Sequence, residues 1–382
     1  MPGPRTAVDL FAGAGGTTQG LHNAGFRVLA AIESDPAAAC TYALNHPGAL
    51  LYARDIRRVQ APAFARRVAA EDRLDLLTAC PPCQGFSTLG QGDADDERND
   101  LITNVTRFTR VLRPRAVLLE NVPGLASNHR LARLERDLGE HYAIGRWIVD
   151  AAEFGVPQHR RRMIVIGVER PVEPASLDKA LVELLPSDFD TRLRTAGPAI
   201  AAAGPIGTSC DPLHRARRST PLTLERISAM PVGGGRRDLP DHLRLACHER
   251  LQGAHATSIY GRIDPDRPSL TMTTRCTTPS CGRFVHPSED RGLSLREAAL
   301  LQTFPPRYTF SGNYGEMERQ IGNAVPVRLA EALGRIIAAL LDGHAAVTRE
   351  HELGRARMSQ RRALARAGRR HSGRSSSEHA GR

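Results

Sequence analysis

Lysine is almost absent from this chain, because Lys179 is the single lysine among 52 basic residues. Long apolar runs are missing too, since no stretch of eighteen consecutive apolar residues occurs, and this argues against a membrane-spanning helix. The first residues also lack the basic, apolar and small-residue order of a signal peptide. These absences predict a soluble, cytoplasmic protein with no membrane partner.

Cysteine is too sparse for a disulfide framework, because seven cysteines, an odd number, are scattered from Cys40 to Cys281. We therefore expect reduced thiols. Cys80 and Cys83 form a Cys-x-x-Cys, but Cys276 and Cys281 are five residues apart and far away in the sequence. A zinc site, which needs a second closely spaced pair, is therefore disfavoured, and we expect no metal.

The net charge of +11 at pH 7 is unevenly distributed. Residues 345–382 contain ten arginines and three acidic residues, so this segment carries +7 and the remainder of the chain +4. We expect residues 344–382 to form a basic, disordered tail. Such a tail either binds polyanions without sequence preference or only keeps the chain solvated, and the composition favours neither.

Apolar runs that suit strands alternate with stretches of helical spacing over the first 120 residues. The predicted strands are AVDLF, RVLAAIE, RLDLLTA and RAVLLEN, and the predicted helices include TTQGLHNAGF, PAAACTYALNH and LITNVTRFTRVLRP. This alternation predicts an α/β fold with a parallel, doubly wound, Rossmann-like sheet in residues 1–170. The stretch FGVPQHRRRMIVIGV then predicts a hairpin or a pair of strands.

A second, smaller and irregular domain is predicted for residues 171–317. From about Pro171 to Pro287 the chain is rich in Pro, Gly, Arg and Thr and has weak periodicity. LSLREAALLQTFP predicts a helix at the end of this domain. QIGNAVPVRLAEALGRIIAALLDG predicts a long amphipathic helix after a Gly-Asn turn.

Glycines and acids occur where the predicted strands end. The glycine cluster at residues 13–16 follows the first strand, Glu33 ends the second, and Asp55 follows a further short strand. Ligands of open parallel sheets bind at these strand ends, and an acid after the second strand suits a ribose diol. Thr18 stands where a dinucleotide fingerprint requires glycine, which favours S-adenosylmethionine over NAD. A plain strand-to-helix turn is the competing interpretation of the glycines.

Cys83 follows two prolines at the point where the third predicted strand ends. A rigid turn there would present one side chain at the cofactor edge of the sheet, which favours a nucleophilic thiol. Cys80 lies within the apolar strand, and we expect it to pack in the core. A redox pair is disfavoured because redox cysteines of this spacing open a helix, whereas two prolines lie between these two.

Polar side chains also follow the fourth strand and the next apolar stretch. Glu120 and Asn121 end LLEN, and a carboxyl group there suits proton donation or acceptance. An acid that caps the following turn is an equally good interpretation. QHRRR supplies Arg160 and Arg162, which strand alternation places on one face, and a solvated basic edge is the alternative.

Together these motifs resemble those of the cytosine-C5 DNA methyltransferase family, in the same order from about residue 7 to residue 343. The matching segments are DLFAGAGG, the acids Glu33 and Asp35, Asp55, PPCQGFS, ENV, QHRRR, LSLREAALLQTFP and QIGNAVP. The resemblance implies an S-adenosylmethionine-dependent methyltransferase sheet with a target-recognition domain. It also implies that residues 318–343 return to complete the first domain.

The resemblance implies a role for each catalytic residue. Cys83 would add to C6 of cytosine as a thiolate, while Glu120 would hold N3 and the exocyclic amine. Arg162, and by position Arg160, would hold the base at O2. The cytosine would first be extruded from the duplex, and the polar loop STLGQGDADDERND would close over it. The implied DNA-contacting residues are Gln84, Ser87 and Gln158.

S-adenosylmethionine is the cofactor that the resemblance implies. Phe11 would pack on the adenine, Glu33 would bind the ribose hydroxyls, and Asp55 would accept from the adenine amine. Ser34 departs from the large apolar residue that family members often carry there, which would weaken the contact with adenine. The full implied set of cofactor-binding residues is Phe11, Gly13, Gly15, Gly16, Glu33, Ser34, Asp55, Ile56, Pro81, Leu101, Asn323 and Val325.

The implied substrate is double-stranded DNA, methylated at specific sequences by a monomer that associates with the nucleoid. The enzyme would act alone or beside a cognate restriction endonuclease. A branch of the same family methylates transfer RNA, but Ser87 and the long recognition segment favour DNA. A non-catalytic DNA-binding protein on this scaffold is the other alternative, and it would lack Cys83 or Glu120, both of which are present.

Overall fold

The computed structural model describes residues 3–68, 73–82, 101–171, 177, 181, 190, 194–246 and 257–342. The described residues up to Asp342 belong to one compact unit. The predicted basic tail and the loop that contains Cys83, Gln84 and Ser87 lie outside the described residues. In the part of the chain that is described, no helix has both the length and the apolar character needed to cross a membrane.

A seven-stranded sheet forms the centre of the molecule, with strand order β3-β2-β1-β4-β5-β7-β6. The strands are β1 (Arg5–Leu10), β2 (Phe26–Glu33), β3 (Leu50–Ala53), β4 (Leu76–Ala79), β5 (Ala116–Asn121), β6 (Tyr142–Asp150) and β7 (Arg161–Glu169). The first five strands pair in parallel, which confirms the doubly wound α/β prediction. β7 pairs antiparallel with both β5 and β6, so the sheet is mixed.

The predicted hairpin lies earlier in the chain than the sequence indicated. Its first strand is β6 (Tyr142–Asp150), which alternates exposed and half-buried residues and so lacks the continuous apolar signal of β5. Residues 154–160, where the first hairpin strand was expected, include the last residue of a short 3-10 turn and an irregular connection.

Ten α-helices are described. They are α1 (Gly16–Asn23), α2 (Pro36–Asn45), α3 (Ala61–Val68), α4 (Thr103–Leu112), α5 (His129–Gly139), α6 (Ala196–Ala201), α7 (Pro221–Ser228), α8 (Leu295–Leu301), α9 (Tyr314–Asn323) and α10 (Val327–Leu341). Local sequence explains where several begin: the Asp35 carboxylate accepts hydrogen bonds from Ala37 and Ala38 at 3.0 Å, and Pro36 occupies the first turn of α2. Ser294 and Glu297 form a capping box for α8.

Helices cover both faces of the sheet. Helices α3, α4 and α5 bury apolar side chains such as Phe64, Phe108 and Leu134 against one face. Helices α1 and α10 cover the other, where Leu21 and Leu333 lie in the same apolar cluster as the strands. The carboxyl-terminal helix α10 therefore supplies core for the amino-terminal half of the sheet.

A glycine permits the contact between α1 and α10. A Cβ atom on Gly20 would lie 2.4 Å from the carbonyl oxygen of Val327 and 2.5 Å from the Cβ of Ala330. These distances are too short for any side chain, so the two helix backbones approach as closely as they do because residue 20 is glycine.

The segment between β7 and α8 contains short helices and isolated bridges, and the structure describes no regular sheet in residues 194–246 and 257–294. A buried arginine organises part of it, because the Arg262 guanidinium donates to the carbonyl oxygens of Ile227, Met230 and His286. The irregular character predicted for this segment is thus confirmed for its described residues.

The predicted Gly-Asn turn is wrong in detail. Gly322 and Asn323 are the last residues of α9, a helix that the sequence reasoning did not anticipate. A Cβ atom on Gly322 would lie 2.0 Å from the carbonyl oxygen of Thr273, so this glycine is needed for close packing rather than for a turn.

Candidate active site

The carboxyl ends of the parallel strands bring the candidate residues to one edge of the sheet. The strand order reverses between β1 and β4, and ligands of doubly wound sheets bind at such a point. Three candidate residues lie at this edge. Glu33 ends β2, Pro81 follows the end of β4 by two residues, and Glu120 is the last residue but one of β5.

The glycine loop after β1 has the backbone conformation of a ligand-binding turn. Phe11 has φ 60°, Gly13 φ 55° and Gly15 φ 89°, so three residues within five positions adopt the left-handed region. A Cβ atom on Gly13 would meet nothing within 4 Å, whereas one on Gly15 would lie 2.6 Å from Nε2 of His46. Gly13 therefore faces open space, and Gly15 packs against the interior.

Gly16 also packs inward, because its Cβ atom would lie 2.6 Å from the carbonyl oxygen of Val325. This contact places Val325 directly against the glycine loop. Val325 is buried, and Asn323 is exposed near it.

The Glu33 carboxylate lies beside the glycine loop. Oε2 accepts a hydrogen bond from the backbone of Gly13 at 2.8 Å, and Oε1 accepts from Ser34 and Asp35 at 2.8 and 2.7 Å. Burial raises the pKa of Glu33, and these three backbone donors oppose that effect. The remaining lone pairs of the carboxylate suit the two hydroxyls of a ribose. The Ser34 side chain is exposed.

Asp55 is engaged by a neighbouring arginine. Its carboxylate accepts from the backbone of Arg57 at 2.9 Å and from the Arg57 guanidinium at 2.6 Å. The hydrogen bonds from Arg57 lower the pKa of Asp55, so the group is an anion near neutral pH. An adenine amine would have to share this carboxylate with Arg57. Ile56 is buried behind it.

Phe11 and Leu101 are half-buried and pack against the same apolar cluster on the α4 side of the sheet. Phe11 belongs to the same loop as Gly13, whose backbone donates to the Glu33 carboxylate, so an apolar ring lies close in sequence to an acid that could bind a diol. Such an arrangement fits a nucleoside with an apolar contact for its base. Among the described residues no group of three or more His, Cys, Asp or Glu side chains is placed to hold a metal ion.

Asn121 holds the segment that follows β4. Nδ2 of Asn121 donates to the carbonyl oxygen of Pro81 at 3.0 Å, and its Oδ1 accepts from the backbone of Val122 at 2.8 Å. The backbone of Cys80 is held in turn by the carbonyl oxygen of Leu10 at 3.3 Å. The sequence reasoning noted Asn121 at a strand end but gave it no role, although an amide next to Glu120 was the available signal.

Glu120 and Arg162 form a nearly buried ion pair. Nε of Arg162 lies 2.8 Å from Oε1 of Glu120, and the two side chains are 12% and 10% exposed. The pair bridges β5 and β7, which are neighbours in the sheet. Arg162 also donates to the carbonyl oxygen of Arg161 at 2.8 Å, which limits its rotation.

Arg160 occupies a different environment from the one that the resemblance implied. Its guanidinium donates to the carbonyl oxygens of Met272, Gly322 and Ala324 at 2.8 to 3.1 Å, and the residue is 3% exposed. These bonds join β7 to the end of α9 and to the recognition segment. In this structure Arg160 therefore positions protein backbone.

Gln158, an implied DNA contact, is fully buried in this structure. Its Oε1 accepts from the backbone of Met272 at 2.8 Å, and its Nε2 lies 2.9 Å from Oε1 of Gln302. The amide has protein partners at both ends and no surface for DNA.

Cys80 is not placed for nucleophilic chemistry. It packs against the apolar cluster on the α1 side, and burial raises its pKa well above the ordinary value, with Glu120 adding to the effect. Its Sγ lies 3.7 Å from the Thr17 hydroxyl. The predicted core role of Cys80 is consistent with this position.

Asp9 is a buried acid that the sequence reasoning passed over inside an apolar strand. Its Oδ2 accepts from the Thr18 hydroxyl at 2.7 Å, and that hydroxyl lies 3.0 Å from the Tyr42 hydroxyl. Oδ1 has no hydrogen-bond partner among the described residues, and the same holds for the hydroxyl of Thr78, its register partner on β4. Burial raises the pKa of Asp9 to about 7.

Comparisons with known proteins agree with this geometry. A family model described as C-5 cytosine-specific DNA methylase matches residues 5–339. The type II methylase M.HgiDII of Herpetosiphon aurantiacus is 33% identical over 357 residues, covering 88% of this chain and 96% of that protein. The type II methyltransferase M.PspPI of a Psychrobacter strain is 35% identical over 350 residues, covering 88% and 79%.

Solved structures show the same fold. A prophage-encoded Escherichia coli protein, described as a DNA modification methyltransferase, aligns with a TM-score of 0.63 at 25% identity, covering 88% of this chain and 99% of that one. The Dnmt2 methyltransferase of S. pombe aligns with a TM-score of 0.62 at 19% identity, covering 89% and 99%. At this identity the second likeness shows the fold alone.

Proposed function

Since this chain belongs to the C-5 cytosine-specific DNA methylase family and is a cytosine-C5 DNA methyltransferase, we propose that it acts on an extruded cytosine through a covalent Cys83 adduct. The observation that carries this proposal is the Glu120–Arg162 pair, 2.8 Å long and almost buried. The next residue, Asn121, donates to the carbonyl oxygen of Pro81, two residues before Cys83 in the sequence. A charged pair at that edge suits the recognition of a polar ring and the stabilisation of charge that develops on it.

The target base must leave the stack before any group can reach C5 or C6, at a cost of a few kcal/mol. In the proposed mechanism the Cys83 thiolate attacks C6, so an Sγ–C6 bond forms and the C5–C6 π electrons move into the ring. Glu120 holds N3 and the exocyclic amine, and the proton that it passes to N3 as negative charge develops there returns to it when Cys83 is eliminated. C5 thereby becomes a carbon nucleophile.

Arg162 has two tasks in this mechanism. Its ion pair keeps the Glu120 carboxyl group oriented, and its remaining guanidinium donors reach O2 of the cytosine. After methyl transfer, removal of the C5 proton returns electrons to the ring, and cleavage of the Sγ–C6 bond releases Cys83. We propose solvent as the acceptor of that proton.

The family depends on S-adenosylmethionine, and the residues at the edge fit that cofactor. When bound, it supplies an electrophilic methyl group on sulfonium. Glu33 would accept from the ribose hydroxyls, Phe11 would contact the adenine, and Asp55 would accept from its amine beside Arg57. Val325 holds the glycine loop from behind.

We propose a specific sequence in double-stranded DNA as substrate, read by the irregular segment between β7 and α8. The type II naming of its relatives supports a place in a restriction-modification system, beside a cognate endonuclease. A solitary methylase is the alternative. In either case we propose that the enzyme acts as a monomer. The transfer RNA branch of the family is the second candidate. It would be favoured if labelled methyl groups reached transfer RNA in preference to duplex DNA.

The decisive experiment uses duplex DNA that contains 5-fluorocytosine at every cytosine, with S-adenosylmethionine present. Fluorine at C5 cannot leave as a proton does, so the adduct should persist as a covalent protein–DNA complex on a denaturing gel. The same duplex with plain cytosine is the control. A complex that fails to form, although methyl transfer to the control duplex proceeds, would rule out the covalent mechanism.

A further inference from the structure

A basic groove lies between α4 and α5, on the sheet face that these two helices cover. The two helices pack side by side through apolar residues of the same cluster. Between their outer surfaces is a cavity of about 320 Å³. The polar residues that line it and matter here are Thr106, Arg107, Arg110, Arg130, Arg133 and Asp137.

The spacing of these residues brings like charges together. Arg107 and Arg110 are three residues apart on α4, and Arg130 and Arg133 are three apart on α5, so each pair lies on one side of its helix. Both pairs face the same cavity. Four arginines with Asp137 as the single acid of the lining give the groove a net positive charge.

Two of the four arginines, Arg110 and Arg133, are open to solvent. Arg107 donates to the carbonyl oxygens of Val59 and Ile56 at 2.7 and 2.6 Å, which fixes the guanidinium but removes none of its charge. The nearest approach of Arg110 to Asp137 is 3.8 Å, with the arginine side chain 68% exposed. An exposed pair at that distance is weak. Arg133 is exposed.

The chemistry of the lining selects the class of ligand. Guanidinium groups bind phosphate oxygens with two donors at once, and the Thr106 hydroxyl in the lining adds a further donor. We propose that the groove between α4 and α5 binds phosphate groups. Among the described residues, no contact joins Arg107, Arg110 or Arg133 to Glu120 or Glu33, so the proposed site is separate from the methyl-transfer site.

Helix direction favours the DNA backbone as the source of these phosphates. α4 leads into β5 and α5 follows it, so both helices begin at the carboxyl edge of the sheet, where the substrate lies. The groove therefore opens towards that edge at the Arg130 end. The groove would bind phosphate oxygens in the same way whether they belong to duplex DNA outside the recognition site or to a small molecule. Two measurements separate these two sources.

The first measurement is the binding of inorganic phosphate, followed by ³¹P NMR in a phosphate-free, low-salt buffer. The test variant is Arg110→Gln/Arg133→Gln in the full-length enzyme. The matched control is Arg136→Gln, an exposed arginine on α5 that does not line the groove. Wild type and control should bind phosphate alike, and the double variant should bind it at least about tenfold more weakly.

The second measurement is the salt dependence of binding to a duplex that lacks the recognition site. Each phosphate contact contributes about 0.9 to the slope of log K against log salt, so the double variant should lose roughly two in slope. Loss of phosphate binding with an unchanged slope would assign the groove to a small phosphate-bearing ligand. If neither measurement distinguishes the double variant from Arg136→Gln, the proposal is overturned. The kcat for methyl transfer at saturating DNA should be the same in all three proteins.

Discussion

Nδ2 of Asn121 donates a 3.0 Å hydrogen bond to the carbonyl oxygen of Pro81, two residues before Cys83. The bond links the end of β5, where Glu120 lies, to the turn that follows β4. The two strands are adjacent and parallel, so the Asn121 side chain joins the end of β5 to Pro81 after β4. The residue next to Glu120 thereby holds the described segment that precedes Cys83 in the sequence.

Asn121→Ala should lower kcat by roughly tenfold to a hundredfold with little change in the KM for DNA, because small displacements of a nucleophile are costly. Steady-state methyl transfer measures this. Asn128→Ala is a matched control, since it removes another asparagine contact, to the backbone of Arg130 at the start of α5. If both variants lost activity equally, Asn121 would be a general stability determinant with no specific effect on the turn.

Glu120→Gln should reduce the chemical step by about 10²- to 10³-fold, because the ring loses the group that stabilises its developing charge. Arg162→Gln should have a similar but smaller effect, and the double variant should be little worse than Glu120→Gln, since the two residues act as a pair. Single-turnover kinetics separate chemistry from binding. Strictly additive losses would show that the pair has no joint function.

Cys83→Ser should abolish turnover while leaving the affinity for S-adenosylmethionine nearly unchanged. Cys80→Ala is the internal comparison, because Cys80 is three residues away and its thiol is buried with a raised pKa. This second variant should retain most of its activity. Isothermal titration with the cofactor and a methyl-transfer assay together test both statements, and normal turnover of Cys83→Ser would contradict the mechanism.

Asp9 should make stability depend on pH in the acidic range. Its pKa is about 7 in the folded protein and about 3.9 in an unfolded chain, so the folded state holds a proton that the unfolded state releases between those values. The stabilising contribution of this proton is complete below about pH 4 and is lost as the pH rises towards 7.

Asp9→Asn cannot release this proton, so its free energy of unfolding should fall less between about pH 4 and pH 7 than that of the wild type. Urea denaturation at several pH values in this range measures the difference. Asp35→Asn is a suitable control because Asp35 is partly exposed and caps α2. Parallel pH profiles for the wild type and Asp9→Asn would show that Asp9 is ionised in the folded protein.

The sheet and one edge of the site were predictable from sequence because their signals are local. Continuous apolar runs define β1, β4 and β5, and polar residues at the ends of such runs must lie at the carboxyl edge. Glu33 and Glu120 were found in this way. β6 was missed because its alternating exposure gives only a weak apolar signal.

The roles of Gln158 and Arg160 could not be predicted, because their partners are distant in sequence. Arg160 donates to carbonyl oxygens of residues 272, 322 and 324, and Gln158 pairs with Gln302. From local sequence alone, QHRRR predicts a basic strand with solvated side chains. Backbone carbonyl groups carry no residue-specific signal, so nothing in the sequence shows that these groups will be acceptors. The loop that contains Cys83 lies outside the described residues, and its catalytic role remains a prediction.

The contact of α10 with α1 through Gly20 has a consequence for biosynthesis. The apolar surface of the sheet beneath α1 stays incompletely covered until residues 327–341 have emerged from the ribosome. A nascent chain therefore exposes apolar surface for most of its translation, and the half of the sheet that α10 covers is completed last. Exposed apolar surface of this kind is what chaperones bind.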